Sequence, residues 1–180
     1  MKKYISIFSL FLFMMSSKDL CADNGYYFGL FGGADWLQSS NFERDIGYTT
    51  ALTFGKKFDN HFRLEAELAY RLNNGYCVRY NYWGDANIFR AKARTFTAMG
   101  HVIYDIPLDL CIKPYFGVGV GVACMKIEHV KLETAFAWDM VLGAIYPLTD
   151  RFDLDIQYKK LHTRSSANNN SILLGLKYKF

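Results

Sequence analysis

Ser171-Ile-Leu-Leu-Gly-Leu-Lys-Tyr-Lys-Phe180 is the stretch whose reading decides the fold. Successive side chains of a strand point to opposite sides, so Ile172, Leu174, Leu176, Tyr178 and Phe180 share one face. Ser171, Gly175, Lys177 and Lys179 share the other, with Leu173 the one apolar intruder. At the edge of a soluble sheet such a greasy strand is an aggregation site. Closing it into a barrel whose apolar face meets lipid removes both the open edge and the exposed grease.

The amino-terminal residues fit that reading. Met1-Lys2-Lys3 is a basic head, and Ile5 to Met15 is apolar apart from Ser6 and Ser9. Small and polar residues follow to Ala22. This pattern predicts a secretory signal peptide over 1–22, cleaved after Ala22. An apolar run of about 11 residues is too short for a helix to cross a bilayer, which needs about 20. A lipidation reading of Cys21 fails, because Lys18-Asp19-Leu20 lacks the small residues of such a cleavage box. The expected organisation is a leader, 1–22, and one barrel domain, 23–180.

Composition narrows the function classes. The chain of 180 residues carries 21 basic and 17 acidic side chains. The leader holds Lys2, Lys3, Lys18 and Asp19, which leaves a mature balance of 18 against 16. No basic cluster interleaved with aromatics appears, so a nucleic-acid partner is not expected. Aromatics at 17% with only three prolines and a mean hydropathy near zero exclude a helical membrane bundle. A polar average with many rings is what alternating lipid-facing and lumen-facing positions produce.

Beyond the leader stand Cys77, Cys111 and Cys124, an odd number that leaves at least one thiol without an internal partner. Cys111 and Cys124 lie at opposite ends of one predicted strand, roughly 40 Å apart, too far to bond. Cys77 and Cys124 both map to the other end of the barrel, where a disulfide or two free thiols remain open; free thiols are the simpler reading. No Cys or His spacing matches a zinc site, and no cofactor is implied.

Alternating runs recur over 25–37, 46–58, 61–72, 94–106, 112–125, 134–146 and 151–162, and the terminal strand is the eighth. The third is the cleanest: Phe62, Leu64, Ala66, Leu68, Tyr70 and Leu72 oppose Arg63, Glu65, Glu67 and Arg71. Tight links at Asp59-Asn60, Pro107 to Asp109 and Pro147 to Asp150 alternate with longer polar ones at 38–45, 73–93, 127–133 and 163–170. This predicts an all-β, eight-stranded antiparallel up-and-down transmembrane barrel, closed by strand eight against strand one, with short turns on the periplasmic side. A soluble lipocalin-like barrel is disfavoured. It would not set Arg63, Glu65, Glu67, Asp153 and Asp155 against a continuous apolar face, and it needs a Gly-x-Trp and a late helix that the sequence lacks.

Tyr27-Phe28-Gly29-Leu30-Phe31-Gly32-Gly33, the run Lys113-Pro-Tyr-Phe-Gly-Val-Gly-Val-Gly121, the leader and the terminal strand together resemble the small outer-membrane proteins of the OmpA-transmembrane-domain, OmpX and opacity-protein type. The resemblance implies residence in the outer membrane of a two-membrane bacterium, loops outward, as a monomer in outer-membrane lipid. It implies delivery by periplasmic chaperones to the barrel assembly machinery, which would read Leu176, Tyr178 and Phe180. The chain ends with the barrel, so the peptidoglycan-binding role of full-length OmpA-type proteins is not expected.

Three places carry candidate chemistry. The polar face within the strands sets Lys57, Arg63, Arg71, Lys113, Lys159, Lys177 and Lys179 against Glu65, Glu67, Asp105, Asp139, Asp153 and Asp155, seven against six. A narrow lumen tolerates such charges only if they pair, so the expectation is an ion-pair network that fills the barrel, with Asp155 and Lys177 its best-placed pair. Gly117, Gly119 and Gly121 would make room for long Arg and Glu side chains. Second, lipid A deacylases place a His and a Ser two apart on a late strand. Here the residue two past His162 is Arg164, and Ser165 points to the opposite face, so the nucleophile–base geometry is not met. His162 reads as a rim residue. Third, the longest loop, Asn73 to Ala93, carries Tyr80, Tyr82 and Trp83, ring types favoured at interfaces and at membrane girdles alike. The expected function is non-enzymatic: surface-loop presentation, adhesion or envelope support. A lipid-modifying enzyme and a small-solute channel are the alternatives, and no sequence feature names a host partner.

Overall fold

Period-two alternation becomes eight strands, each following the next in chain order around a closed barrel. The structure is a computed structural model that describes residues 25–38, 46–80, 86–108, 111–127, 133–164 and 168–180. At 37–38, 74–80, 86–91, 127 and 133 it describes the backbone alone. The leader 1–22 therefore lies outside the described residues. The strands are β1 Tyr26–Gln38, β2 Ile46–Lys57, β3 Phe62–Tyr80, β4 Ala86–Asp105, β5 Lys113–Ile127, β6 Glu133–Pro147, β7 Phe152–Thr163 and β8 Asn168–Lys179. Every pairing is antiparallel, and β8 closes on β1 with Leu176 opposite Leu30 and Tyr178 opposite Phe28. Closure pairs every strand on both sides along the barrel wall, which is what a backbone in hydrocarbon requires.

Burial alternates strictly along β2, buried and exposed in turn from Ile46 to Gly55. The exposed set is the apolar one: Leu52, Leu64, Val118, Val120, Leu142, Leu174 and Leu176 are each about half exposed. The buried set holds Arg63, Glu67, Arg71 and Lys159. A soluble domain would be inside out. Four strands also carry two outward rings eight residues apart: Phe28 and Trp36, Phe62 and Tyr70, Tyr104 and Phe96, Tyr146 and Trp138. Eight residues span about 26 Å along a strand, or about 20 Å along the barrel axis at a tilt of ~40°, close to the height of a lipid-facing band. In the ring line at the short-turn end, Phe62, Tyr104 and Phe116 follow one another at centroid distances of 5.1 and 5.7 Å.

Two expectations about the connections are corrected. Residues 73–93 are not mainly a loop: β3 runs on to Tyr80 and β4 begins at Ala86, and the two pair in register from Asn73 with Ala93 to Tyr80 with Ala86. Tyr80 thus lies in a strand, whereas Tyr82 and Trp83 fall outside the described residues. Similarly, β8 starts at Asn168, three residues before the alternation becomes clean. The asymmetry between the two ends is therefore one of strand overhang, not of loop length. The link from β4 to β5 covers 106–112, as long as 39–45 at the opposite end. The physical reason is that paired backbones satisfy each other's N–H and C=O groups, so a hairpin zips past the membrane whatever its side chains suggest.

Candidate functional site

The lumen is packed in three layers. Nearest the short turns, Lys57 and Arg63 both pair with Asp105, at 2.9 and 2.8 Å. Beside them the Tyr27 hydroxyl donates to Glu65 at 2.7 Å, and Lys177 bridges Glu65 and Asp155 at 3.1 and 2.8 Å. Tyr115 donates to Asp155 at 2.7 Å, and the Arg63 guanidinium lies over the Tyr115 ring at 4.6 Å. Lys179 meets Asp153 at 2.9 Å at the mouth, where its side chain is partly exposed. In the middle layer Lys159 pairs with Glu67, and His101 Nε2 lies 3.0 Å from Asp139. At the far layer Arg71 donates to Thr97 at 2.8 Å. Asp35 accepts there from Asn73, Asn169 and Ser171 at 2.7, 2.8 and 2.6 Å. Arg71 adds a longer ion pair to Asp35 at 3.9 Å.

The sequence-predicted residues Arg63, Glu65, Glu67, Arg71, Asp139, Asp153, Asp155 and Lys177 all face this lumen and are buried. They do not form one unbroken chain: Glu67 and Asp139 belong to a layer apart from Glu65 and Asp155. Asp35 is the residue the sequence-based charge count passes over, although its parity puts it on the same face. The glycine expectation changes its occupants. Gly119 makes room for His101 and Asp139, but Gly117 faces Ile103 and Gly121 faces Met99. The long rings take the remaining space: Tyr27 lies over Gly55, Tyr115 over Gly143 and Phe31 over Gly175. Each of these is a direct cross-strand pair. A Cβ at any of these glycines would collide with the ring opposite. The signal was present in the sequence, as glycines at lumen parity facing aromatic residues across the ladder.

Glu67, His101 and Asp139 bring three potential metal donors within 4.8 Å of one another. Lys159 and Arg71 both act electrostatically on Asp139, and Lys159 contacts Glu67. Both carboxylates therefore already have cationic neighbours supplied by the protein, although Arg71 also serves Asp35 in the next layer. The layer reads as protein-compensated.

His162 faces outward at the rim. Its ring stacks on Trp138 at 4.4 Å, and Nδ1 donates to Asn168 Oδ1 at 2.8 Å. Ser165 and Ser166 lie outside the described residues. Cys111 is exposed at the short-turn end, and Cys124 contacts Thr134. Cys77 is placed by its backbone opposite Phe89, while Cys124 is opposite Phe96. Those seven residues of β4 separate the two by about 23 Å, far beyond disulfide reach. Phe180 donates its N–H to the Tyr26 carbonyl at 3.0 Å, and its ring meets Tyr178 edge-on at 5.2 Å. Leu176 and Tyr178 lie on the lipid-facing side of the closing seam.

The family described as "Outer membrane protein beta-barrel domain" matches residues 5–180. Among solved structures, the chain is similar to Neisserial surface protein A at 16% identity, covering 87% of this chain and 97% of that one, with a TM-score of 0.65. It is similar to Ail, the attachment invasion locus protein of Yersinia pestis, at 12% identity, covering 88% and 100%, TM-score 0.61. OprG of Pseudomonas aeruginosa is similar at 16% identity, covering 88% and 97%, TM-score 0.55. At these identities the likeness is one of fold. An uncharacterized protein of Brucella abortus is 30% identical over 88 residues, 39% of this chain and 31% of that protein. The chain thus spans about a third of the length of the curated relatives it matches.

Proposed function

The chain belongs to the outer membrane β-barrel domain family, an integral outer-membrane barrel of eight strands, and from that membership we propose that it works without catalysis, presenting the β3–β4 hairpin outside the cell. The observation that carries this reading is the overhang. β2 pairs with β3 only as far as Leu72, and β5 pairs with β4 only as far as Ala93. From Asn74 to Tyr80 and from Ala86 to Lys92 the two strands therefore pair with each other alone among the described residues. A twisted two-stranded ribbon standing about ten residues beyond the Tyr70 and Phe96 girdle is a contact platform on a rigid base. Tyr80 ends the described part of β3, and Tyr82 and Trp83 follow it in the sequence; these are the proposed contact rings.

In this reading the short turns face the periplasm, and residues 1–22 are a leader removed on export. Periplasmic chaperones and the assembly machinery deliver the chain as a monomer. Replacing 75–91 by a two-residue Asn-Gly turn between the paired Asn74 and Lys92 tests the role, because the barrel below keeps its ladders and register. Cells carrying the trimmed protein should lose adherence to host-type surfaces while keeping normal detergent resistance. Unchanged adherence, with envelope sensitivity on deleting the whole barrel, would instead assign a structural role. Cys111 reports orientation independently. In a variant with Cys77 and Cys124 changed to Ser, an impermeant maleimide should label it only after the outer membrane is breached.

A further inference from the structure

Arg94 and Lys126 are direct cross-strand partners on the outward face of β4 and β5, and both are exposed. Lys92 stands on the same face two residues beyond Arg94, and it is exposed too. Residues directly opposite on neighbouring strands hold their Cβ atoms about 4.5–5.5 Å apart, and like charges so placed repel. The ion pairs of the described residues line the lumen or its short-turn mouth, and none involves these three cations. Immediately below on the same face lie Phe96 and its cross-strand partner Tyr70, rings of the upper girdle. Along the barrel axis Arg94 and Lys126 therefore sit about 5 Å above ring level and Lys92 about 10 Å above it, where lipid phosphates lie.

The opposite rim is different. Its outward Lys56 already lies over the Tyr26 ring at 4.7 Å, and Asp59 and Asp150 are exposed nearby at that end. At the overhang end the outward charges are all positive among the side chains described, with Lys160 and Arg164 on the far side of the barrel. An anion held between them would relieve a repelling pair at the head-group level that has a third cation beside it. Arg94 brings a planar fork suited to phosphate, and the two lysines bring point charges.

We propose that Lys92, Arg94 and Lys126 form a binding site for the phosphate group of a phosphorylated lipid head group, seated against β4 and β5. The site itself does not depend on which way the barrel faces. Only its assignment to the outer leaflet rests on the orientation given above, and Cys111 labelling decides that separately.

The folded barrel in dodecyl maltoside micelles, which carry no phosphate, with and without diphosphorylated lipid A, tests the site. Lipid A should raise the unfolding midpoint of the wild type. Each of Arg94→Gln and Lys126→Gln should weaken its apparent affinity about fivefold. In dodecyl maltoside alone, which offers no phosphate and where only repulsion remains, Arg94→Gln should leave the midpoint unchanged or raise it. Arg94→Lys should retain most of the affinity, and Lys56→Gln all of it. Heat-modifiable gel mobility identifies any variant that fails to fold, and the remaining single variants then carry the comparison. Equal affinity of the wild type and a variant carrying both Arg94→Gln and Lys126→Gln would overturn the site, as would equal binding of dephosphorylated lipid A. Protection by inorganic phosphate equal to that by lipid A would assign the cluster to a soluble anion and overturn the lipid.

Discussion

At the scale of single residues, Asp155 states the problem of charge in a narrow lumen. It is fully buried, and its carboxylate forms an ion pair with Lys177 at 2.8 Å and accepts from Tyr115 at 2.7 Å. Removing one partner of such a pair strands the other, at a cost of about 3–5 kcal/mol. Asp155→Ala should lower the unfolding free energy in urea by about that amount. The double variant with Lys177→Ala should recover part of the loss, but not all, because Lys177 also holds Glu65 at 3.1 Å. At the mouth, Lys179 is 39% exposed beside Asp153, and Lys179→Ala should change stability by less than about 1 kcal/mol. An unchanged midpoint for Asp155→Ala would mean that water already solvates the site. That Asp155 and Lys177 face one lumen was legible from period two alone. The role of Asp35 was not, because parity gives a face and says nothing of which three side chains will converge there.

At the scale of elements, the strands themselves were readable and their ends were not. Asn73-Asn74-Gly75 has the composition of a turn, yet β3 passes through it. Asn73 is buried and donates to Asp35, so a residue that favours turns is held in the ladder by a lumen partner from β1. Tertiary contact overrode local preference. The same distinction bears on β8. Alternation in Ile172 to Phe180 fixes a lipid face, and the Phe180 backbone adds a bond to Tyr26 at the closing seam. If the assembly machinery reads this terminal pattern, Phe180→Ala should reduce the inserted fraction severalfold and leave protease-sensitive chain in the periplasm. Lys179→Ala, on the lumen side, should insert like the wild type. Equal insertion of both variants would make the terminal ring a local packing residue only.

At the scale of the whole molecule, the question is whether an eight-stranded cylinder so rich in lumen charge is a pore. A vestibule of about 500 Å³ opens at the short-turn end, reaching Tyr27, Arg63 and Lys177. Beyond that floor the lumen alternates charged layers with apolar ones: Phe31 against Ala51, Ala69 and Leu173, and Met99 against Ala123, Ala137 and Leu161. An ion entering from the vestibule meets a guanidinium stacked on a tyrosine ring, then side chains packed to near-complete burial. Eight strands leave an interior just wide enough for side chains to fill. The barrel should therefore pass only small, intermittent currents in planar bilayers, from brief displacements of the plug. Tyr27 and Tyr115 occupy the space above Gly55 and Gly143, so Tyr27→Ala with Tyr115→Ala removes two rings that no neighbouring Cβ can replace. That variant should open more often and for longer while keeping its heat-modifiable gel mobility, since the backbone ladders are untouched. A steady, large conductance from the wild type, unaffected by removing the rings, would show a continuous water path and favour a solute channel over a presenting scaffold.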